Sequence, residues 1–237
     1  MMYEALAKVY DALVKDDEAT TAWVTLIETH MPKGEVLELA CGSGEITLAL
    51  AEQGYHMTAT DISKDMLEEA KAKDSQHEVV WRVMDMSDIQ DDKQYDGILC
   101  LCDSFNYLLE EEQIQAMLDG VMAHLKEGGV FIVDMHSMDR LEEFEEEYNE
   151  AGKILGQEYQ WTIYAQDDRI YQNFAFYDAN GRITLEQHIQ RVYEPAWILA
   201  QLKQRHFDVK VVTDFTLPGI HSGEKQFYIC KKQGGIR

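Results

Sequence analysis

One stretch limits the folds open to this chain more than any other: residues 36–50, VLELACGSGEITLAL. An apolar run ends at Cys41-Gly42-Ser43-Gly44, and a helical pattern starts at once, carrying Ile46, Ala49 and Leu50. A strand that turns over glycines straight into a helix is a backbone loop able to hold a ligand, since glycine lets main chain approach closely. Ser43 stands where a cap for that helix is expected.

The same grammar recurs along the chain. EVLELA (35–40) reads as a buried strand, followed by HMTATD (56–61), EVVWRVMD (78–85), YDGILCLC (95–102) and GVFIVDMH (129–136). A helix begins near Ser63, and EEEQIQAMLDGVMAHL (110–125) is amphipathic and stopped by Gly128-Gly129. Strands alternating with helices over short connections give a parallel sheet with helices on both faces. Right-handed crossovers then bring the carboxyl ends of the strands to one edge, where ligands bind near the reversal of strand order. Two helical patterns precede the sheet: residues 3–15, with Leu6, Val9, Tyr10 and Leu13 in phase, and residues 17–30.

After about residue 155 the pattern changes. QEYQWTIYAQ, RIYQNFAFYD and RITLEQHIQRVYE are successive β-like runs, and the Asn180-Gly181 pair between the last two is a hairpin signal. A helix (195–205) and two strands, FDVKVVTDF and KQFYICKK, close the chain and are expected to rejoin the main sheet. The expected class is α/β: a Rossmann-like, seven-stranded, mostly parallel sheet with helices on both faces, plus an antiparallel β extension. The expected division is 1–156 for the N-terminal helices and ligand-binding core, 157–193 for the extension, and 194–237 for the returning elements.

Charge narrows the partners. The 237 residues carry 21 Lys and Arg against 44 Asp and Glu, a net charge of −23 with no basic cluster, which disfavours nucleic acid. The acid-rich LEEFEEEYNE (141–150) is expected to be a solvated helix face. Cys41, Cys100, Cys102 and Cys230 lack metal-binding spacing, so no metal is expected, and Cys100 and Cys102 are expected to pack as small hydrophobes. No apolar run approaches the roughly 20 residues that span a bilayer. The opening MMYEALAKVYDALVKDD has no secretory pattern, so a cytoplasmic monomer or homodimer is expected.

The glycine loop discriminates among ligands. A triphosphate loop needs Lys and then Ser or Thr after its last glycine, but Gly44 is followed by Glu45 and Ile46. A dinucleotide fingerprint needs a third glycine where Thr47 stands. The run Glu38-Leu39-Ala40-Cys41-Gly42-Ser43-Gly44 instead resembles motif I of the class I S-adenosylmethionine-dependent methyltransferases, with Ala40 in place of a glycine. That resemblance implies S-adenosylmethionine as cofactor. Glu38 would accept from its ammonium, and the glycines and helix start would approach its methionine part. Asp61, 23 positions beyond Glu38, would take the two ribose hydroxyls, with Ile62 over the adenine and Asp85 and Met86 beside it. YDGILCLCDSFNYLL (95–109) resembles the motif lining the methyl-transfer site. The opening Tyr3-Glu4-Ala5-Leu6-Ala7-Lys8-Val9-Tyr10-Asp11, with CDSFNYL and EQHIQRVY, is similar to the YqeM-type bacterial methyltransferases, whose antiparallel extension covers the active site. The cofactor-binding set implied is Tyr10, Glu38, Ala40, Cys41, Gly42, Gly44, Asp61, Ile62, Met66, Asp85, Met86, Leu101 and Asp103.

Methyl transfer from a sulfonium needs alignment of donor and acceptor, with a base if the acceptor must lose a proton. Candidates at the expected edge are Asp103, Asn106, Tyr107 and His136, of which Asp103 is expected to be a cofactor or structural contact. The expected catalytic set is His136 as base, Asn106, and Tyr10, which shares a helical face with Tyr3. The acceptor is expected to be a small molecule methylated at N or O. The alternatives are a tRNA or protein methyltransferase, or a noncatalytic binder of the cofactor. In the extension, Ile183, Leu185 and Ile189 alternate with Glu186, His188 and Gln190; the polar set either lines an acceptor pocket or faces solvent, and solvent is the expectation. Trp161, Tyr171, Phe174 and Tyr177 offer aromatic surface able to hold a planar or cationic acceptor, but are expected mainly to pack.

Overall fold

A computed structural model describes residue 9, residues 12–13, 16–76, 78–178 and 180–234. Tyr3 and Tyr10, and with them the proposed covering role of the first helix, lie outside the described residues. The first long element is α1 (Asp17–His30), started by Asp16, whose Oδ1 accepts from the Glu18 and Ala19 N–H groups and so satisfies two helix-end donors.

The core then follows in order: β1 (Glu35–Leu39), α2 (Glu45–Glu52), β2 (His56–Asp61), α3 (Lys64–Lys73), β3 (Val80–Val83), β4 (Tyr95–Cys100), a 3-10 turn (Ser104–Tyr107), α4 (Glu111–His124) and β5 (Leu125–His136). After α5 (Asp139–Glu143) come the antiparallel strands β6 (Tyr148–Ile154), β7 (Gln157–Gln166), β8 (Arg169–Tyr177) and β9 (Ile183–Arg191). The chain closes with α6 (Pro195–Gln204), β10 (Phe207–Thr213), β11 (Leu217–Pro218) and β12 (Lys225–Lys232).

The described strands form one sheet in the order β11-β10-β12-β5-β4-β1-β2-β3 and a second in the order β6-β7-β8-β9. Strands β3, β2, β1, β4 and β5 run parallel, whereas β12 is antiparallel to β5 and β10 to β12. The expected seven strands are present, and the two-residue β11 adds an eighth at the edge of β10. Strand order reverses between β1 and β4, so their carboxyl ends lie side by side at the switch point.

Period-two alternation explains why both faces of this sheet are apolar. Leu37, Leu39, Ile98, Cys100, Phe131 and Val133 point to one side, where α4 and α6 add Ile114, Met117, Ile198 and Leu202. Val36, Leu99, Leu101, Val130 and Ile132 point to the other, where α1 and α2 add Leu26, Ile27, Ile46 and Leu50. Each such side chain is fully or nearly fully buried, worth about 1.5–3 kcal/mol of transfer free energy.

Several sequence expectations change. Ser43 does not cap α2: the cap position is Gly44, with φ of 79°, and no side chain caps it. The third strand is trimmed to Val80–Val83, and the fourth ends at Cys100, so Cys102 is exposed rather than packed. Helix α4 ends at His124 and β5 begins at Leu125, which places Gly128 and Gly129 inside the strand instead of at a helix stop. Within LEEFEEEYNE only residues up to Glu143 are helical. Tyr148 opens β6, an edge strand whose mostly exposed side chains, with no apolar alternation, hide a full antiparallel register with β7. The extension therefore begins before residue 157.

The largest change is in β9. Its register with β8 pairs Glu186 with Phe174, His188 with Gln172 and Gln190 with Ile170, all on the face turned inward with buried Phe174 and Phe176. Glu186, His188 and Gln190 are buried, His188 to 1% exposure, while Leu185 is 75% exposed and Ile183 is also open to solvent. The alternation was legible but its direction was the reverse. Of the four aromatics, Trp161 and Phe174 stack inward with ring centres 5.3 Å apart; Tyr171 and Tyr177 are on the outer face, Tyr177 donating to Gln160.

Candidate active site

The β1 tip turns through three residues with positive φ, Ala40 (52°), Gly42 (56°) and Gly44 (79°). Main chain pins the loop: Cys41 N–H donates to Thr60 O at 2.9 Å and Gly44 N–H to Cys41 O at 3.0 Å. The two glycines serve different purposes. A Cβ on Gly42 would meet nothing within 4 Å, so its main chain borders open space. A Cβ on Gly44 would lie 2.6 Å from the Trp81 ring and 3.1 Å from Ala70 Cβ, so Gly44 is where helix and strand close together.

Glu38 is 3% exposed and accepts from Thr47 Oγ1 at 2.5 Å. Burial pushes its carboxyl up to about 7; the Thr47 hydrogen bond opposes this and nearby Asp61 adds to it. Asp61, at the β2 tip, accepts from Ser63 N–H at 2.7 Å and from Gly42 N–H at 2.9 Å. Its carboxyl is raised by burial, in part offset by those N–H groups. Ile62, next in the chain, is a large apolar side chain left 61% exposed. Met66 is buried on the inner face of α3, and Leu101 is buried in the core beside α1. Asp85, just past β3, is exposed and turns the chain by accepting from Ser87 N–H at 2.8 Å and Oγ at 2.7 Å; Met86 packs at the edge of the core.

At the β4 tip two successive non-glycine residues, Cys102 and Asp103, have φ of 56° and 58°. Left-handed backbone at such residues costs roughly 1–2 kcal/mol each, so neighbouring groups must hold it. They do. Asp103 N–H donates to Asp134 Oδ1 at 3.1 Å, and Lys225 Nζ reaches Asp103 Oδ2 at 3.0 Å and Asp134 Oδ2 at 3.3 Å. Trp23 Nε1 donates to Asp134 Oδ2 at 3.2 Å, and its ring lies 4.7 Å below the Lys225 ammonium. Burial pushes Asp134 up to about 6 against the pull of Lys225. Asp103 is also opposed by burial, but His136 and Lys225 hold it below the ordinary carboxylate range.

His136 ends β5, with Nδ1 3.6 Å from Asp103 Oδ1 and Nε2 3.1 Å from Gln190 Oε1. Burial lowers its pKa, with Asp103 and Gln190 opposing. Asn106, fully buried, accepts from His136 N–H at 3.1 Å and donates to Arg191 O at 2.7 Å, so its amide braces β5 against β9. Tyr107 OH lies 3.4 Å from His188 Nδ1, and His188 Nε2 lies 3.7 Å from Glu186 Oε2. The inner face of β9 thus sits on the carboxyl edge of the parallel sheet. Among the described residues no group of three or more metal-ligating side chains converges, and no helix there is long and apolar enough to cross a membrane.

Comparison with known proteins bears on what such an edge does. A family model described as "Methyltransferase domain" matches residues 36–129. YqeM of Bacillus subtilis (strain 168), which carries a methyltransferase designation, is 32% identical, covering 100% of this chain and 99% of its own length. The chain belongs to the class I S-adenosylmethionine-dependent methyltransferases. The methyltransferase is similar to a solved S-adenosylmethionine-dependent methyltransferase from Clostridium acetobutylicum ATCC 824, with TM-score 0.83, 27% identity and coverage of 98% and 99% of the two chains. It also shares its fold with the sugar N-methyltransferase KedS8 from Streptoalloteichus sp ATCC 53650, with TM-score 0.79, 19% identity and coverage of 98% and 94%. It is an enzyme whose cofactor is S-adenosylmethionine.

Sequence reading of this methyltransferase missed Trp23, Asp134 and Lys225, and turned Gln190 towards solvent. Asp134 carried a signal, an acid amid the apolar GVFIVDMH, where an unpaired charge is costly. Lys225 and Trp23 lie about 200 residues apart in sequence and gave none.

Proposed function

We propose that the enzyme methylates nitrogen or oxygen of a small molecule held between the β1 and β4 tips and the inner face of β9. The carrying observation is that β9 is tied to the parallel sheet's edge by Asn106 to Arg191, Gln190 to Asp103 and Gln190 to His136, which sets its polar inner face over the tips of β4 and β5. An edge covered by a strand suits a metabolite better than a macromolecule, and the net charge of −23 disfavours tRNA. KedS8, which shares the fold, is a sugar N-methyltransferase, in agreement with this acceptor class.

The residues fit the cofactor in kind. Glu38 receives its ammonium, the open main chain at Ala40, Cys41 and Gly42 lies along its methionine part, and Gly44 keeps the loop closed on Trp81. Asp61 takes the ribose hydroxyls, with Ile62 covering the adenine and Asp85 and Met86 at its rim. Met66 and Leu101, being buried, shape the floor from behind. When bound, the cofactor supplies an electrophilic methyl on sulfur. The chain's own groups exclude water and align the acceptor, with His136 placed to take a proton. The enzyme would act in the cytoplasm, as a monomer or homodimer. The test is incubation with methyl-labelled S-adenosylmethionine and a bacterial metabolite extract: labelled low-mass products are expected. Label confined to added protein or tRNA would overturn the reading.

A further inference from the structure

The charged chain at the β4 tip ends on two groups that face each other, and the hydrogen-bond directions around them follow from the network. Gln190 Nε2 donates to the Asp103 carbonyl at 3.0 Å. Its Oε1 is therefore the end that meets Gln172 Nε2 at 2.9 Å and His136 Nε2 at 3.1 Å. An amide oxygen only accepts, so His136 carries its hydrogen on Nε2. In the neutral ring that burial favours, Nδ1 is then a bare acceptor. Opposite it, 3.6 Å away, is Asp103 Oδ1, buried and without a hydrogen-bond donor among the described residues. Asp103 Oδ2 is already taken by Lys225.

Two buried acceptors thus lie side by side, and with the imidazole neutral a partner bringing two hydrogens satisfies both. We propose that the methyl acceptor is an amine whose hydrogens are received by His136 Nδ1 and Asp103 Oδ1, with Gln190 as the positioning residue that fixes the imidazole tautomer. This rests on the small-molecule reading above. The cofactor's own ammonium is assigned to Glu38 on the neighbouring strand, which leaves this pair for the acceptor. A hydroxyl brings one hydrogen and would leave one acceptor bare. A neutral imidazole is also too weak a base to ionise an aliphatic hydroxyl before attack, whereas a neutral amine attacks with its own lone pair. The acidic surface favours approach of a cationic amine, which gives up its extra proton to solvent on entry.

The step balances. The amine lone pair forms the N–CH3 bond while the C–S bond breaks, and its electron pair stays on sulfur, giving S-adenosylhomocysteine. The methylated nitrogen, now cationic, passes one proton to His136 Nδ1. The imidazolium is held beside the Asp103 carboxylate and releases that proton to water. The charged groups around His136 are Asp103 from the β4 tip, Lys225 from β12 and Arg140 from α5, with Gln190 and Asn106 its neutral neighbours.

The test uses full-length enzyme, methyl-labelled S-adenosylmethionine and a bacterial metabolite extract, untreated or pretreated with the N-hydroxysuccinimide ester of acetic acid, which caps amines and spares alcohols. Label in the untreated extract and its loss after capping is the expected result. Label surviving the capping overturns the amine while leaving the small-molecule reading intact. No label in either extract, with the cofactor still bound by calorimetry, overturns both. Gln190→Glu places a second carboxylate on the imidazole and is expected to move the acid limb of the rate upward by about one pH unit. Gln190→Met frees the tautomer and is expected to lower the rate at least about tenfold with cofactor affinity within about twofold. A fall in rate with an unmoved acid limb in Gln190→Glu, or a wild-type rate in Gln190→Met, would remove Gln190 from the proposed role.

Discussion

Replacing Glu38 by Gln should make the free enzyme more stable and a worse cofactor binder, and the size of both effects follows from the burial of one carboxylate. Glu38 is 3% exposed, and its folded pKa of about 7 stands well above the ordinary 4.5. The folded state therefore holds a proton that the unfolded chain has lost between those two values. The contribution of this group to stability is fully present below pH 4.5 and declines as pH rises through 7. A rise of that size corresponds to about 3 kcal/mol lost by pH 8. Glutamine keeps an oxygen for the Thr47 hydroxyl and never ionises, so it escapes this loss, although its NH2 lacks an assured acceptor and returns roughly 1 kcal/mol of the gain. The expected net is about 2 kcal/mol in favour of Glu38→Gln at pH 8, or about 5 °C in Tm for a chain of this length. At pH 5 the two proteins should differ little. Cofactor affinity moves the other way: removing a charge-assisted bond from the ammonium costs about 1.5–3 kcal/mol, a 10- to 100-fold rise in Kd. Urea unfolding from pH 5 to 8 and calorimetry at pH 8 measure both. A variant less stable than wild type at pH 8, or one that binds S-adenosylmethionine as tightly as wild type, would refute the reasoning.

The two loop glycines should separate folding from binding. Gly42→Ala meets no protein atom and should cost only the left-handed strain of about 1 kcal/mol while weakening the cofactor; Gly44→Ala strikes the Trp81 ring and should lower stability by several kcal/mol in urea unfolding without added ligand. Lys225→Met strands two buried carboxylates and is expected to lose about 3–5 kcal/mol at pH 8. That loss should shrink at pH 5, because Asp134, already at about 6, then takes up a proton, and Lys225→Arg should restore much of the stability at pH 8. Leu185→Thr should change stability by less than about 0.5 kcal/mol despite its place in an apolar alternation, since that side chain is 75% exposed; a loss above 2 kcal/mol would mean the face is covered.

What could be read in the sequence was whatever the chain decides locally. Strand, glycine loop and helix are contiguous at residues 36–50, and the acids at 38 and 61 sit at fixed offsets from strand ends, so spacing alone placed them at one edge. Strand β6 was hidden because an edge strand with solvent on both sides needs no apolar alternation; backbone pairing with β7 carries it. In β9 the alternation was visible, yet periodicity tells which residues share a face and not which face is inward. Tertiary contact decided that: β9 pairs with β8, whose Phe174 and Phe176 must be buried, and Glu186, His188 and Gln190 go in with them.

The inversion has a cost that identifies its purpose. A strand that exposes Ile183 and Leu185 while burying Glu186, His188 and Gln190 forgoes apolar burial and takes on desolvation of polar groups, a poor bargain for stability alone. The β4 tip repeats the pattern, with two left-handed residues held by Lys225, Asp134 and Gln190, residues that no local rule pairs with it. Departures from local rules at unrelated parts of the chain meet at one place, the carboxyl edge beneath β9. Conflict between local preference and tertiary demand is expected where a protein gives up stability for function. The residues least legible in the sequence, Lys225 and Gln190, are the ones that tie the β4 tip to β12 and to β9.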